Sequence, residues 1–234
     1  MRADGIQPAA LLVDSIFSSD GIAVEPRGFL AAAVAEIRAA GGLFIADEVQ
    51  PGFGRTGTHM WGFQRHGVVP DLVTMGKPMG NGHPVSALAA RPALLEAFAR
   101  RTRYFNTFGG NSVACAVGLA VLDVIEREGL VANAYASGEH LRAELSRLAS
   151  RHTWVREVRG AGLFVGVELE AHPVSRLTAR QEATRVVNEL KRRGVLVGTT
   201  GREANVLKIR PPLTIGRAEI DFLIDGLDQS LAAG

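Results

Sequence analysis

Several features that define whole protein classes are scarce or missing in this 234-residue sequence. Its single cysteine, Cys115, excludes a disulfide framework and every metal site built on several cysteines. No apolar run reaches the roughly 18 residues that a membrane-spanning helix requires, and the first residues lack the apolar core of a signal peptide. The net charge of +2 is too small for an electrostatic nucleic-acid binder. We therefore expect a cytoplasmic protein with neither a membrane nor a nucleic acid as its partner.

Lysine is also scarce, because only Lys77, Lys191 and Lys208 are found among the 26 basic residues. Lys191 lies in a charged helix end, where an arginine would serve equally well. Lys77 instead lies among the uncharged residues 75–82, and an ammonium group in such surroundings loses hydration, which favours a nucleophilic amine. The alternative for this stretch alone is a lysine that only reaches from a loop into solvent.

Apolar segments without alternation, joined by helical patterns, predict an α/β fold with a parallel sheet covered on both faces. For the larger domain, residues 1–125, the pattern predicts strands over 9–17, 43–46, 71–75 and 85–89. It predicts helices over 29–40 and 111–128. For a smaller α+β domain, residues 126–234, the pattern predicts strands 155–158, 163–169, 195–197 and 206–209 and helices 131–150, 177–193 and 217–232. Asp47 and Lys77 each follow a predicted strand, at the sheet edge where ligands of such folds bind.

Residues 52–57 match the pattern G-x-G-x-x-G of dinucleotide-binding proteins. That fingerprint requires a helix that begins directly at the glycines, whereas Gly62, Gly67 and Pro70 argue against a helix here. We interpret the segment as a glycine-rich loop and keep a dinucleotide oxidoreductase as an alternative. The six histidines lack the spacing of a zinc site, so no metal is expected. His83 falls in a loop, and Cys115 falls in an alanine-rich helix pattern and is predicted to be buried.

Asp47 precedes Lys77 by 30 residues, and pyridoxal phosphate requires a lysine for its Schiff base and an acid for its pyridinium nitrogen. Four blocks in the expected order then resemble the class III pyridoxal-phosphate-dependent aminotransferases: residues 43–57, 70–77, 107–111 and 208–213. The resemblance covers essentially the whole chain. It implies pyridoxal 5'-phosphate as the cofactor and part of the fold type I of such transferases, namely the C-terminal part of the large parallel-sheet domain plus the small α+β domain.

The resemblance also implies roles for individual residues. Lys77 would form the internal aldimine with the cofactor and carry the proton at the substrate Cα. Asp47 would pair with the pyridinium nitrogen and keep it protonated, so that the ring can accept electrons. Val49 would pack against the ring face, and Gln50 would lie near the 3-hydroxyl group.

Two further roles follow from the same resemblance. Thr107 would bind the cofactor phosphate of a neighbouring subunit, which implies a homodimer; alternatively its hydroxyl satisfies backbone groups of the loop ahead of the helix that starts near Asn111. Arg210 would bind a substrate carboxylate, because a guanidinium donates two parallel hydrogen bonds to such a group.

Residues 75–84 resemble a branch near the alanine–glyoxylate aminotransferase-like proteins, which includes phospholyases of phosphorylated amino alcohols. Asp14 and Ser15 stand where many aminotransferases carry Glu-Pro, which favours the same branch. The reaction therefore stays open. One possibility is amino transfer from a small amine or amino acid to a keto acid, and the other is elimination of phosphate.

Family members carry a long N-terminal part that supplies the phosphate-binding turn and the aromatic residue on the ring, and this sequence lacks both motifs. We interpret the chain as the C-terminal part of such an enzyme. Its sheet would be incomplete and would expose apolar edges and faces. Little activity is expected of this part alone; an N-terminal segment would complete it, and an inactive truncated remnant is the alternative.

Overall fold

The computed structural model describes residues 5–233, which form two compact units. The first unit contains residues 5–15, 25–53 and 59–129. The second unit contains residues 16–24, 54–58 and 130–233. The sequence pattern placed the division after residue 125 and did not single out the two short segments, because along the chain they lie between elements of the first unit.

A four-stranded sheet forms the centre of the first unit, in the order β1-β2-β3-β4. Strands β1, β2 and β3 are parallel, whereas β4 is antiparallel to β3, so the prediction of a wholly parallel sheet is wrong at this edge. The physical reason is the short connection from β3 to β4, which leaves no room for the crossover that a parallel pair requires. The strands are β1 (Ala10–Val13), β2 (Leu43–Asp47), β3 (Leu72–Met75) and β4 (Ala87–Ala90).

Three α-helices and two 3₁₀ helices complete the first unit: α1 (Phe29–Ala39), α2 (Pro92–Arg101), α3 (Ser112–Arg127), and the 3₁₀ helices Gly62–His66 and Lys77–Gly80. Helix α1 buries Leu30 and Val34 against Phe44 and Ala46 of β2. Helix α2 begins with proline in its first turn and buries none of its residues. Helix α2 was not predicted from the sequence, and its apolar residues Leu95 and Phe98 are each 48% exposed.

Two predictions about the first unit are wrong. The strand predicted over residues 9–17 ends at Val13, because turns follow and Phe17 adopts a positive φ of 47° that a strand cannot accommodate. Cys115 was predicted to be buried but is exposed, since α3 buries only Ala114, Gly118 and Ile125. Val117, Val121 and Val124 are half-buried, whereas Val113 and Leu119 are 63% and 62% exposed. This exposed apolar surface lies on a helix, whereas the sequence analysis expected it on the sheet.

The second unit has an antiparallel sheet in the order β5-β6-β8-β7. It consists of β5 (Val155–Ala161), β6 (Phe164–Leu169), β7 (Gly198–Thr200) and β8 (Val206–Ile209), with helices α4 (Leu130–Ala149), α5 (Ala179–Arg192) and α6 (Arg217–Ala232). The three helices bury aliphatic residues in one core with β6 and β8; those of α4 are leucines, and those of α6 are leucines and isoleucines. Within residues 5–233, no helix is both long enough and apolar enough to span a membrane.

Strand β7 lies three residues later than the strand predicted over 195–197. Gly194 has a φ of 84°, and the Val195 amide donates to the carbonyl of Leu190 at 2.9 Å. These are features of a glycine-terminated helix end, so the valines nearest α5 take part in its termination. Pairing with β8 begins only at Gly198.

Candidate active site

Asp47 and Lys77 lie at the same edge of the first unit's sheet, as the strand pattern predicted. Asp47 is the last residue of β2 and pairs with Thr74 of the parallel strand β3, and Lys77 follows the end of β3 by two residues. The amide of Glu48 extends this pairing, because it donates to the carbonyl of Thr74 at 2.9 Å. The carboxylate and the amine thus follow neighbouring strands.

Val49 and Gln50 continue from Asp47 along this edge and are both half-buried. The amide of Val49 donates to Oδ1 of Asp47 at 3.0 Å, which fixes the carboxylate relative to the backbone. A Cβ placed on Gly76 would lie 3.8 Å from Cγ2 of Val49. The turn that leads into Lys77 therefore packs near the side chain predicted to lie on the ring face.

Lys77 begins a 3₁₀ helix with a positive φ of 35°, an uncommon conformation for a residue with a side chain. Such backbone conformations cluster at functional sites. The side chain is exposed, so the loss of hydration expected from its uncharged neighbours is absent in the described chain.

Glu48 is a completely buried carboxylate next to Asp47, and the sequence analysis missed it. Its Oε2 accepts from the amide of Gly62 at 2.7 Å, and its Oε1 accepts from that of Phe63 at 2.9 Å. Burial raises the pKa of Glu48 to about 7; Asp14 and Asp47 raise it further, and the two backbone hydrogen bonds oppose this rise. A signal was present, because adjacent residues of a strand point to opposite faces, so one of two acids at a strand end faces inward.

The buried carboxylate of Glu48 supports the loop that follows the predicted site residues. It satisfies two amides at the start of the 3₁₀ helix Gly62–His66, where helical partners are lacking. His66 completes the anchoring: its Nδ1 accepts from Gly28, and its Nε2 lies 3.1 Å from the carbonyl of Ser15. Burial lowers the pKa of His66, in agreement with a neutral ring that accepts at Nδ1.

Thr107 lies in an exposed loop, residues 102–111, that precedes α3. The backbone amides of this loop are satisfied by a different side chain, since Oδ1 of Asn106 accepts from Phe108 at 3.1 Å and from Gly109 at 2.9 Å. Asn111 caps α3 by accepting from the amide of Ala114 at 2.9 Å. Asparagines thus perform the structural role that was considered for the Thr107 hydroxyl.

The cap of α3 yields a stability prediction. We expect Asn111→Ala to lower the free energy of unfolding by about 1 kcal/mol, because the amide of Ala114 loses its acceptor. Asn111→Ser should stay closer to the wild type, since serine also caps helices well. Urea denaturation of the three proteins tests this, and equal losses in both variants would contradict the capping role.

Residues 54–58, the second half of the glycine-rich motif, belong to the second unit. A Cβ on Gly54 would lie 2.8 Å from Cγ2 of Val131, and one on Gly57 would lie 2.7 Å from the backbone of Tyr135. The glycines therefore permit close approach to α4. Bends follow Gly57, and the next element is the short 3₁₀ helix Gly62–His66 and not an α-helix that begins at the glycines, which removes the structural basis of the dinucleotide alternative.

Arg210 lies in the second unit, where it directly follows β8 and is exposed. Arg55, which the sequence analysis did not select, lies in the same unit and donates from Nη1 to the carbonyls of Pro211 and, at 3.3 Å, Leu163. Burial, and to a smaller extent the charge of Arg210, lower the pKa of Arg55 to about 10. The guanidinium of Arg55 therefore stays charged at neutral pH.

Comparisons with known proteins show which family the chain resembles in sequence and in fold. A model of the class-III aminotransferase family matches residues 3–231. The mitochondrial alanine–glyoxylate aminotransferase 2 homolog 2 of Arabidopsis thaliana is 44% identical over 224 residues, 96% of this chain and 46% of that protein. The structure of a phospholyase from Arthrobacter in complex with phosphoethanolamine matches with a TM-score of 0.94 and 45% identity, over 100% of this chain and 55% of that one. For a Bacillus anthracis aminotransferase the TM-score is 0.88 and the identity 34%, over 97% and 52% of the two chains.

The chain thus spans about half the length of the relatives that it matches. The TM-scores show that its fold is part of that of the pyridoxal-phosphate-dependent aminotransferases, as the resemblance implied. The family consists of enzymes whose cofactor is pyridoxal 5'-phosphate. Because the family model matches nearly every residue, the chain belongs to the class-III aminotransferase family.

Proposed function

We propose that this chain provides the cofactor-attaching part of a class III aminotransferase, with Lys77 as the attachment point and Asp47 as its acidic partner. One observation carries the proposal: Asp47 and Lys77 follow neighbouring parallel strands and lie at one sheet edge. An amine and a carboxylate are the donor set that pyridoxal 5'-phosphate requires, so the residues present fit the group. The first unit would then be the cofactor-binding domain and the second unit the small domain.

Each residue at this edge has a chemical task. When bound, pyridoxal phosphate supplies an electron sink for the substrate Cα. The amine of Lys77 holds the cofactor and moves the proton at that carbon, and the Asp47 carboxylate holds a proton on the ring nitrogen. Val49 supports the ring face, and Gln50 binds near the 3-hydroxyl group.

We propose amino transfer from a small amine or amino acid to a keto acid as the reaction. The printed name of the Arabidopsis relative supports this choice, since it is an alanine–glyoxylate aminotransferase. In this scheme Arg210 binds the substrate carboxylate through two parallel hydrogen bonds. The remaining parts of the site would come from a segment that corresponds to the other half of the relatives.

A phospholyase is the second candidate, and one comparison favours it. The Arthrobacter structure, which matches with the higher identity of the two solved structures described above, is a phospholyase bound to phosphoethanolamine. The two reactions differ in their products, because phosphate elimination releases inorganic phosphate from a phosphorylated amino alcohol without a keto acid. A phosphate assay with and without a keto acid distinguishes them.

The proposal also includes a homodimer, in which Thr107 contacts the cofactor phosphate of the neighbouring subunit. The exposed position of Thr107 and its freedom from the capping role of Asn106 and Asn111 support it. We expect light scattering to give twice the 24.9 kDa chain mass. A monodisperse monomer at working concentration would contradict this prediction.

A cytoplasmic location also stays a proposal, which imaging of the tagged chain tests.

Labelling of the purified chain tests the central proposal. The chain is incubated with pyridoxal phosphate and reduced with borohydride, and the added mass is located by peptide mass spectrometry. We expect a stoichiometric label on Lys77. Equal labelling of Lys191 and Lys208, or no label, would contradict a working attachment site and favour an inactive remnant.

A further inference from the structure

The chain that leaves β8 has an unusual shortage of hydrogen-bond donors. Arg210 follows Ile209, the last residue of β8, and is followed by Pro211 and Pro212. Proline has no amide hydrogen, so these two residues cannot be fixed through their own N–H groups. The carbonyl of Pro212 accepts from the nearby amide of Ile215 at 3.2 Å, whereas that of Pro211 accepts from a side chain distant in sequence.

Arg55 supplies such a donor directly after Arg210. Its Nη1 donates to the carbonyl of Pro211 and, at 3.3 Å, to that of Leu163. The backbone of Arg55 is fixed in turn, because the Leu163 amide donates to the Arg55 carbonyl at 3.1 Å. Because Gly57 has no side chain, the segment of residues 54–58, which contains Arg55, can pack closely against α4.

The positions before and after this segment have separate anchors. Ile209 pairs with Val165 in the sheet. Downstream, Nδ2 of Asn133 donates to the carbonyls of Leu213 at 2.6 Å and Ile215 at 3.1 Å. Arg55 therefore holds the carbonyl of the residue next to Arg210, and Asn133 offers a control a few residues away.

We infer that Arg55 is a positioning residue for Arg210: it fixes the carbonyl of Pro211, the residue that follows Arg210, and adds a second positive charge beside it. The inference rests on the role of Arg210 in the proposed function. Two neighbouring cations repel each other, and a bound anion relieves that repulsion. The pair therefore favours a substrate with two negative charges over a simple monocarboxylate. Such a substrate carries either a phosphomonoester group or two carboxylates.

The fall in the pKa of Arg55, caused by burial and by Arg210, agrees with this geometry. It reports that the two charges interact and that Arg55 loses water in exchange for carbonyl acceptors. Arginine suits the task better than lysine, since its planar group can donate to two carbonyls at once while it remains charged.

Protection of Arg210 from chemical modification tests the inference on the full chain. Phenylglyoxal modifies accessible guanidinium groups, and peptide mass spectrometry follows the peptide that contains Arg210. Inorganic phosphate is the first probe, and acetate is the monoanionic comparison. The measured quantity is the phosphate concentration that halves the modification rate of Arg210, in the wild type and in Arg55→Met, Arg55→Lys and Asn133→Ala. Melting temperatures are recorded for each protein.

We expect Arg55→Met to raise the half-protecting phosphate concentration at least tenfold, and Arg55→Lys to restore it to within threefold. For Asn133→Ala, the half-protecting phosphate concentration should stay within threefold of the wild-type value, even if its melting temperature falls as much as that of Arg55→Met. Should the methionine variant not fold, Arg55→Gln, which keeps one donor without the charge, replaces it, with a rise of at least threefold expected.

Two results would overturn the inference. The first is a half-protecting phosphate concentration in Arg55→Met, or in the variant that replaces it, within threefold of the wild-type value. The second is a rise of that concentration in Asn133→Ala equal to the rise in the Arg55 variant. Acetate protection as strong as that by phosphate would overturn the preference for multiply charged anions. If neither anion protects Arg210 in the wild type, the anion-binding role of Arg210 in the proposed function fails, and the inference fails with it. Labelling of Lys77 is independent of these outcomes, so the two failures can be distinguished.

Discussion

The Lys77→Ala variant is expected to lose the borohydride-fixed label completely, whereas Lys191→Ala should keep it at full stoichiometry. Lys77 is the only lysine of the first unit, because Lys191 and Lys208 both belong to the second. No other lysine of that unit can therefore replace it at the sheet edge beside Asp47. Lys191→Ala is the matched control, since it removes the same group from an exposed position on α5.

We expect the rate of turnover to fall in Lys77→Ala, which loses the label, and to stay unchanged in Lys191→Ala, which keeps it. Loss of a positioned proton-transfer group lowers the rate by up to about four orders of magnitude. A small primary amine added to Lys77→Ala should recover part of this loss, which unfolding would not allow. Full label in the alanine variant, carried on Lys208, would mean that the wild-type label was adventitious.

Local sequence patterns were sufficient for most elements of the fold. Helix α6 occupies the predicted residues 217–232, and β2 differs from its prediction only by the inclusion of Asp47. These elements depend on apolar periodicity and on capping residues, both of which are local. The orientation of β4 depends instead on the length of its connection to β3 and on pairing across the sheet.

The site shows the same division between local and distant causes. Asp47 and Lys77 could be placed because strand ends are visible in the sequence and parallel strands bring them to one edge. Arg55 could not, and for Glu48 the pattern indicates only an inward direction, because the importance of both residues lies in the groups that they contact. Glu48 binds amides 14 and 15 residues away, and Arg55 binds a carbonyl 156 residues away. A charged side chain in a loop predicts solvent exposure unless such partners are known.

Glu48 leads to the second prediction of a large effect, which concerns stability and pH. The pKa of Glu48 in the folded chain is about 7, above its ordinary value of 4.5, with burial as the main cause. Between these two values the folded state binds a proton that the unfolded state has lost, so stability falls as the pH rises. Below pH 4.5 Glu48 is neutral in both states, and above pH 7 it is ionised in both. The cost of ionising the buried group reaches about 3 kcal/mol above pH 7.

Glu48→Gln should remove this dependence, because an amide of the same shape stays neutral at every pH. Its NH₂ group cannot accept, so one of the amides of Gly62 and Phe63 loses its acceptor, at a pH-independent cost of about 1–3 kcal/mol. The difference in unfolding free energy between wild type and variant should therefore shift by about 3 kcal/mol in favour of glutamine from pH 4.5 to pH 8.

The two tryptophans allow this shift to be measured on the first unit alone. Trp61 lies in the first unit, directly before the amides that Glu48 binds, and Trp154 lies in the second. In a Trp154→Phe background, urea denaturation followed by fluorescence reports on Trp61. Glu126→Gln, which replaces an exposed carboxylate on α3, is the control and should show no comparable shift. If the difference in unfolding free energy between the wild type and Glu48→Gln did not change with pH, the Glu48 carboxylate would ionise as it does in water. The two amides at the start of the 3₁₀ helix would then not depend on a buried, half-ionised acid near neutral pH.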